Sequence, residues 1–168
     1  LLSAKPVLYV ANVDENELAK ADAISADLAK RINRNPEEVI VVSAKIEAEL
    51  AELAPDDAAA YLKDLGLTEP GLNRLIRQAF TTLGLMTFFT AGPIESKAWT
   101  ISRDTLAPQA AGVIHTDFEK AFIRAEIMDW KDLIAYGEQG CKEKGLLRVE
   151  GKEYVMRDGD VAHFRVGV

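Results

Sequence analysis

Lys5-Pro-Val-Leu-Tyr-Val-Ala-Asn12-Val-Asp-Glu15 runs from an apolar stretch straight into Asn-x-x-Glu. Val7, Leu8, Tyr9 and Val10 are continuously apolar, which predicts a strand over 6–12 buried on both faces, as in a parallel sheet. Residues 15–34 follow as a helix, with Leu18, Ala21, Leu28 and Ile32 near one face and Asn33, Asn35 and Pro36 ending it. Val39-Ile-Val-Val42 is a second short buried strand, and Ser43-Ala-Lys45 leads into a helix through Leu53. Strand, helix, strand, helix at these lengths is an α/β pattern with a right-handed crossover.

Beyond this unit the texture changes. Two further helices are predicted at 55–65 and 70–83; in the second, Leu72, Leu75, Ile76, Ala79, Phe80 and Leu83 have the spacing of a buried stripe. From Met86 onward the pattern predicts short strands at 86–90, 97–101, 122–127, 146–149, 153–156 and 161–166. Short helices are expected near 116–121 and 129–144. Gly151-Lys152 and Asp158-Gly159 are turn signals of the hairpin kind. The domain boundary is therefore expected near residue 83, dividing the chain into 1–83 and 84–168.

With 168 residues, 48% of them hydrophobic and 28% charged, the chain has room for one domain or two small ones. The net charge of −7 divides as −5 over residues 1–83 and −2 over 84–168, so neither half is a polycation. Nucleic-acid binding would need a local patch. Cys141 is the only cysteine, which excludes an internal disulfide and points to a reducing, cytoplasmic setting. No apolar run approaches the roughly 20 residues of a membrane span. A core strand so close to residue 1, with no initiating Met, predicts a chain that begins within a domain.

Asn12-Val-Asp-Glu15 falls just past the carboxyl end of a strand, where open α/β sheets bind ligands. The Asn12 amide can donate to or accept from a purine edge, and Val13 offers an apolar surface with backbone groups. In Asn-Lys-x-Asp, the ending by which GTP-binding proteins read guanine, the Asp carboxylate accepts from N1–H and the exocyclic amine. Here Val13 stands for the Lys and Glu15 for the Asp, one methylene longer, which should spoil that bidentate contact. The competing reading is a helix start, with Asn12 or Asp14 as N-cap and Glu15 and Glu17 favoured by the helix dipole. Ser43-Ala44-Lys45 ends the next strand, where its backbone amides would approach the same base; as a competing reading Ser43 is a plain N-cap. No Gly-x-x-x-x-Gly-Lys-[Ser/Thr] occurs, so nothing in the sequence cradles phosphates or holds Mg²⁺.

The remaining chemistry-bearing residues read as structural. Thr116 and Glu119 fit a capping box beside His115, and His163 lies in an alternating strand. Cys141 sits in a polar helical stretch, and Asp56-Asp57 and Asp158/Asp160 read as helix and turn residues. Lys97, Arg103, Lys120, Arg124, Lys131, Lys142, Lys144 and Arg148, with Trp99 and Trp130 among them, form either an RNA-contacting face or solvated cations over core tryptophans.

Phe88-Phe-Thr-Ala-Gly-Pro93, Ala98-Trp-Thr-Ile101, Ala107-Pro-Gln-Ala-Ala-Gly-Val-Ile-His-Thr-Asp-Phe-Glu-Lys120, Phe122-Ile-Arg-Ala-Glu126 and Asp158-Gly-Asp160 together resemble the C-terminal domain of the YchF/Obg-like ATPases. Upstream, Lys5–Glu15 and Val42–Leu50 resemble the second half of that family's G domain. The resemblance implies the back half of a P-loop NTPase-type parallel sheet over 1–83. It implies a small α+β β-grasp (TGS, ubiquitin-like) domain over 84–168. By the same likeness Asn12 and Val13 would contact adenine, Glu15 would complete the altered base loop, and Ser43 and Ala44 would line the pocket. ATP, with Mg²⁺ held in the full-length protein, is then the implied cofactor, and the ribosome or its RNA the implied partner through the TGS domain. The missing N-terminal half of the G domain is a further implied partner. Alternatives are a non-enzymatic TGS module, or a GTP-specific Obg/Drg-type GTPase, for which an Asn-Lys-x-Asp at 12–15 would have spoken.

Overall fold

The computed structural model describes residues 5–167 and divides into two compact units, one ending at Leu83 and the other beginning at Gly84. The first holds strand β1 (Tyr9–Asn12), a 3-10 turn (Glu15–Lys20) and helix α1 (Ala21–Ile32). Strand β2 (Val39–Val42) and helices α2 (Ala44–Glu52), α3 (Pro55–Asp64) and α4 (Gly71–Thr82) follow. β1 and β2 pair in parallel, with Tyr9 opposite Val39 and Asn12 opposite Val42. That parallel pair with α1 between its strands is the predicted α/β unit.

β2 is buried along its first three residues, but β1 is not covered on both faces as predicted, since Val7 and Val10 are about half exposed. The reason lies in the edges. On the side of β2 away from β1, Ser25 Oγ donates to the Val39 carbonyl at 2.9 Å and Arg74 Nη2 to the Val41 carbonyl at 3.0 Å. Side chains thus close that edge, as edge strands require. The free edge of β1 has no strand partner among the described residues.

The helix predicted over 15–34 is broken at Lys20, the 3-10 turn carrying Leu18 into a cluster with Ile46, Leu50 and Leu62. α1 packs by small residues, Ala21 and Ala29 being buried, whereas Ile32 is 40% exposed. A 12-residue helix is about 18 Å long and a four-residue strand about 13 Å, so the last turn of α1 outruns β2. The stripe predicted to be buried over 70–83 is only half covered: Leu75, Ala79 and Phe80 are half-buried, whereas Leu72, Ile76 and Leu83 are exposed. α4 also docks through Arg74 and through Gly71, whose N–H donates to Glu47 Oε1 at 2.7 Å. A Cβ at Gly71 would lie 3.0 Å from Val42 Cγ1 and 3.1 Å from Glu47 Oε1, so a larger residue fits only if those side chains shift. Periodicity marks a face as apolar without saying what covers it.

The second unit is a five-stranded mixed sheet in the order β4-β3-β7-β5-β6. Its elements are β3 (Leu85–Ala91), β4 (Ser96–Ser102), α5 (Ala107–Ile114), α6 (Thr116–Lys120), β5 (Phe122–Asp129), α7 (Trp130–Glu143), β6 (Arg148–Glu150) and β7 (Asp160–Val166). β3 and β7 pair in parallel, and the other neighbours are antiparallel. The core joins Phe88, Ile101, Phe122, Ala125, Ile127 and Ala162 of the sheet to Ala107, Ala110 and Ala111 of α5, with Trp99 and Phe164 packed against it. α5 is absent from the sequence reading because its buried face is alanine, whose periodicity carries little hydrophobic contrast. Pro108 in its first turn, and Gln109 Oε1 accepting from Leu106 N–H at 3.0 Å, are the start signals that were there to read.

The structure departs from the expected pattern of this unit at several points. Residues 153–156 form no strand, only a bridge from Val155 to Leu106, so Gly151-Lys152 turns the chain without making a hairpin of β6. Asp158-Gly159 likewise leads into β7, which pairs with β5 and β3. His115, not Thr116, caps α6, its Nδ1 accepting from Asp117 N–H at 3.2 Å. Asp160 is more than a turn residue: it is buried, accepting from Tyr154 Oη and Arg157 N–H at 2.8 Å each and facing Arg148 Nη2 at 3.4 Å. Cys141 lies in α7 and is fully buried with Met128 and Val161, and burial pushes its thiol up. Among the described residues, no helix is long and apolar enough to cross a membrane.

Across β5 and β7, Glu126 receives Arg165 Nη2 at 2.9 Å and Nε at 3.2 Å. The Arg165 hydrogen bonds, and then its charge and that of Arg124, hold the Glu126 carboxyl below the usual range. A lowered carboxylate stabilises the fold fully above its unfolded value, near 4.3, and the contribution is lost as pH falls through the lower folded value. Glu126→Gln should therefore cost about 0.5 kcal/mol at pH 7, and the gap from wild type should close in strong acid. Urea denaturation at pH 7 and pH 3 checks this; a gap that widens in acid contradicts it.

Candidate functional site

The two strand ends singled out in the sequence lie side by side because β1 and β2 are parallel neighbours in register, so both chains leave the sheet at the same edge. Val13 N–H donates to the Val42 carbonyl at 2.9 Å, extending the pairing one residue past the strands. Asn12 Oδ1 then accepts from the backbone N–H of Ala44 at 2.9 Å. Ala44 is the first residue of α2, whose opening N–H groups have no partner within the helix. Ser43 occupies the N-cap position but makes no side-chain cap bond, so the cap of α2 comes from β1, 32 residues earlier. Asp14 caps the 3-10 turn, its N–H donating to Glu17 Oε2 at 3.3 Å.

A third tie lies outside these two. Lys45 Nζ stands 2.7 Å from Glu15 Oε2 and 3.9 Å from Glu49 Oε1, and Tyr61 Oη donates to the other Glu49 oxygen. The hydrogen bond and charge of Glu15, then the charge of Glu49, hold the Lys45 ammonium above the usual lysine range. The Glu49 carboxylate raises the Tyr61 phenol in the same way. Glu49 and Tyr61 carry no motif in the sequence; their part follows from helical spacing after Lys45 and from the packing of α3.

All five predicted site residues are thus gathered at one sheet edge, with different freedoms. Asn12 and Ala44 are exposed, Ser43 is buried, and Val13 packs against the Leu18–Ile46–Leu50–Leu62 cluster. The Asn12 carbonyl is engaged, whereas its Nδ2 has no protein partner among the described residues and remains a donor. Such a donor can meet purine N7, an acceptor common to adenine and guanine. A separate groove of about 550 Å³ between α2 and α3 is lined by Glu49, Glu52, Asp57 and Asp64, a lining that repels phosphate.

Of the cations singled out in the second unit, three are engaged by acidic partners, while Lys97 lies 4.5 Å over the Trp99 ring and Lys131 5.7 Å over Trp130. Arg148 is bound to Glu150, Tyr154 and Asp160, Arg124 faces Glu126 at 3.6 Å, and Lys142 holds Glu138 at 2.6 Å. Trp99 is a core residue stacked on Phe88, with Nε1 donating to Thr90 Oγ1 at 3.0 Å. Trp130, 41% exposed, lies over Gly159, where φ is +87° and an added Cβ would come within 2.7 Å of the indole. Among the described residues no group of three or more His, Cys, Asp or Glu is arranged to hold a metal ion.

Comparison with known proteins adds four findings. The family model YchF-GTPase_C, described as a protein of unknown function (DUF933), matches residues 85–167. The ribosome-binding ATPase YchF of Bacillus subtilis is 49% identical over 171 residues, covering 100% of this chain and 47% of that protein. The protein of the same name from Haemophilus influenzae is 48% identical over 169 residues, covering 99% and 46%. The solved structure of the Schizosaccharomyces pombe YchF GTPase superposes with a TM-score of 0.83 at 38% identity, over 98% of this chain and 44% of that one. The chain spans about half the length of the curated relatives it matches.

The cap role of Asn12 is open to test by substitution. Asn12→Ala removes the cap of α2 and should cost about 1 kcal/mol, whereas Asn12→Asp keeps an acceptor at the helix start and should keep most of the stability. Urea denaturation with amide exchange at Ala44 reads both. Equal losses for the two variants would mean that the Ala44 bond is not what Asn12 contributes.

Proposed function

The chain belongs to the YchF family, and from that premise we propose that it is the C-terminal part of a cytoplasmic, ribosome-associated, ATP-preferring NTPase of the Obg-like type. In this reading residues 1–83 are the rear of the G domain. Asn12, Val13 and Glu15 at one strand end, with Ser43 and Ala44 at the next, form the back wall of the base pocket. Residues 84–168 are the TGS module, a β-grasp sheet that helps the protein dock on the ribosome or its RNA.

The observation that carries the proposal is the bond from Ala44 N–H to Asn12 Oδ1, which makes one rigid wall of two loops that each look unremarkable alone. A wall fixed before the ligand arrives loses little ordering entropy on binding. The departure from Asn-Lys-x-Asp supports the choice of ATP over GTP: Val13 supplies no cation, and Glu15 carries its carboxylate one methylene further out.

The residues present fit the base of a nucleotide but not its phosphates. ATP brings the transferable phosphoryl group and Mg²⁺ the charge that offsets it. The groups that hold both belong to the N-terminal half of the G domain, so hydrolysis is a property of the full-length protein. What this chain does in the cycle is bind and orient the base, through the Asn12 amide on one side and the packed Val13 side chain on the other.

Affinities of the full-length protein for ATP and GTP analogues test the reading. The wild type should prefer ATP, and the double variant Val13→Lys with Glu15→Asp should move the preference at least tenfold toward GTP. A wild type that prefers GTP contradicts the base assignment.

A further inference from the structure

We propose that Lys45 sets the base preference of this site by holding the Glu15 carboxylate off the pairing edge of the purine. The inference rests on the base-reading role proposed above and assigns a residue to it that the altered tetrapeptide does not contain.

The geometry is specific. The cap from Asn12 to Ala44 fixes the start of α2 against the end of β1, and Lys45 is the next residue. From there its ammonium reaches Glu15 at 2.7 Å, while Glu49, one helical turn further on, stands at 3.9 Å and is itself held by Tyr61. Glu15 is thus the nearer of the two carboxylates on Lys45. Guanine offers N1–H and an exocyclic amine as adjacent donors, and a free carboxylate at this loop would attract both. Adenine offers an acceptor at N1, which the same free carboxylate would repel. With its charge offset by Lys45, Glu15 neither rewards guanine nor penalises adenine.

The other groups of the loop cannot replace this discrimination. Val13 N–H is bound to the Val42 carbonyl and Asn12 Oδ1 to Ala44 N–H. Asn12 Nδ2 meets an atom that both purines share. The length of the Glu15 side chain alone does not exclude guanine, because a flexible carboxylate can reach by changing rotamer. A partner that fixes the rotamer is needed, and Lys45 supplies it.

The test is equilibrium binding of non-hydrolysable ATP and GTP analogues to the full-length protein. The variants are Lys45→Met, Lys45→Arg, Glu15→Gln, and Lys45→Met with Glu15→Gln. Lys45 is 66% exposed, so its substitution leaves folding intact, and a circular-dichroism melt of each variant verifies this. Lys45→Met should raise GTP affinity relative to ATP at least fivefold, and Lys45→Arg should stay within twofold of wild type. Once Glu15 is Gln, Lys45→Met should change the ratio less than twofold, because no charge is left to release. An unchanged ratio in Lys45→Met, or the same shift with and without the Glu15 carboxylate, overturns the inference while leaving an ATP-preferring wild type intact. If the wild type shows no ATP preference, the base-reading proposal falls, and this inference with it.

Discussion

The first unit depends on one hydrogen bond, from the Ala44 backbone to the Asn12 side chain. An α-helix begins with N–H groups that it cannot satisfy, and α2 begins directly after a strand with no room for a long cap loop. Ser43 stands where a local cap would be but is buried and does not serve. The acceptor comes from the neighbouring strand, so satisfying α2 and joining the two strand ends are the same event. The Val13–Val42 bond and the Glu15–Lys45 pair then fall into place around it. Neither exposed member of the ion pair would order the loops unaided, since pairs of that kind contribute little.

The edges of the small parallel sheet follow a similar logic. Ser25 and Arg74 take the outward carbonyls of β2, so a further strand cannot add there. The β1 edge has no strand partner among the described residues, and Val10 on β1 and Val7 just ahead of it are about half exposed. The second unit closes its own core, with three alanines of α5 letting that helix approach Phe88 and Ile127 closely.

The sequence was legible wherever a local pattern determined the outcome. Val39–Val42 reads as a buried strand because it is one, and α3 and α4 begin and end within a residue or two of their predicted limits. The two strand ends drew notice because strand ends are where parallel sheets present ligands, and the parallel pairing of β1 and β2 sets them side by side. What escaped was set by distance along the chain or by weak contrast. The Asn12 cap spans 32 residues, so the local pattern offers Asn12 as a base contact or as the cap of the next helix but not as the cap of α2. The alanine face of α5 lacks the contrast that reveals Leu or Ile stripes. The half-covered stripe of α4 shows the converse failure, an apolar period without its full cover. Glu15 read as a displaced carboxylate because its partner lies on another element, 30 residues on.

The central claim is that β1 and β2 end in one preformed wall that meets the base of a nucleotide. The most direct measurement is a structure of the full-length protein with a non-hydrolysable ATP analogue. The account predicts adenine against Val13, its N7 within hydrogen-bond distance of Asn12 Nδ2, the Asn12–Ala44 bond intact and Glu15 still paired with Lys45. A base bound elsewhere, or an Asn12 side chain that leaves Ala44 to reach it, would contradict the account.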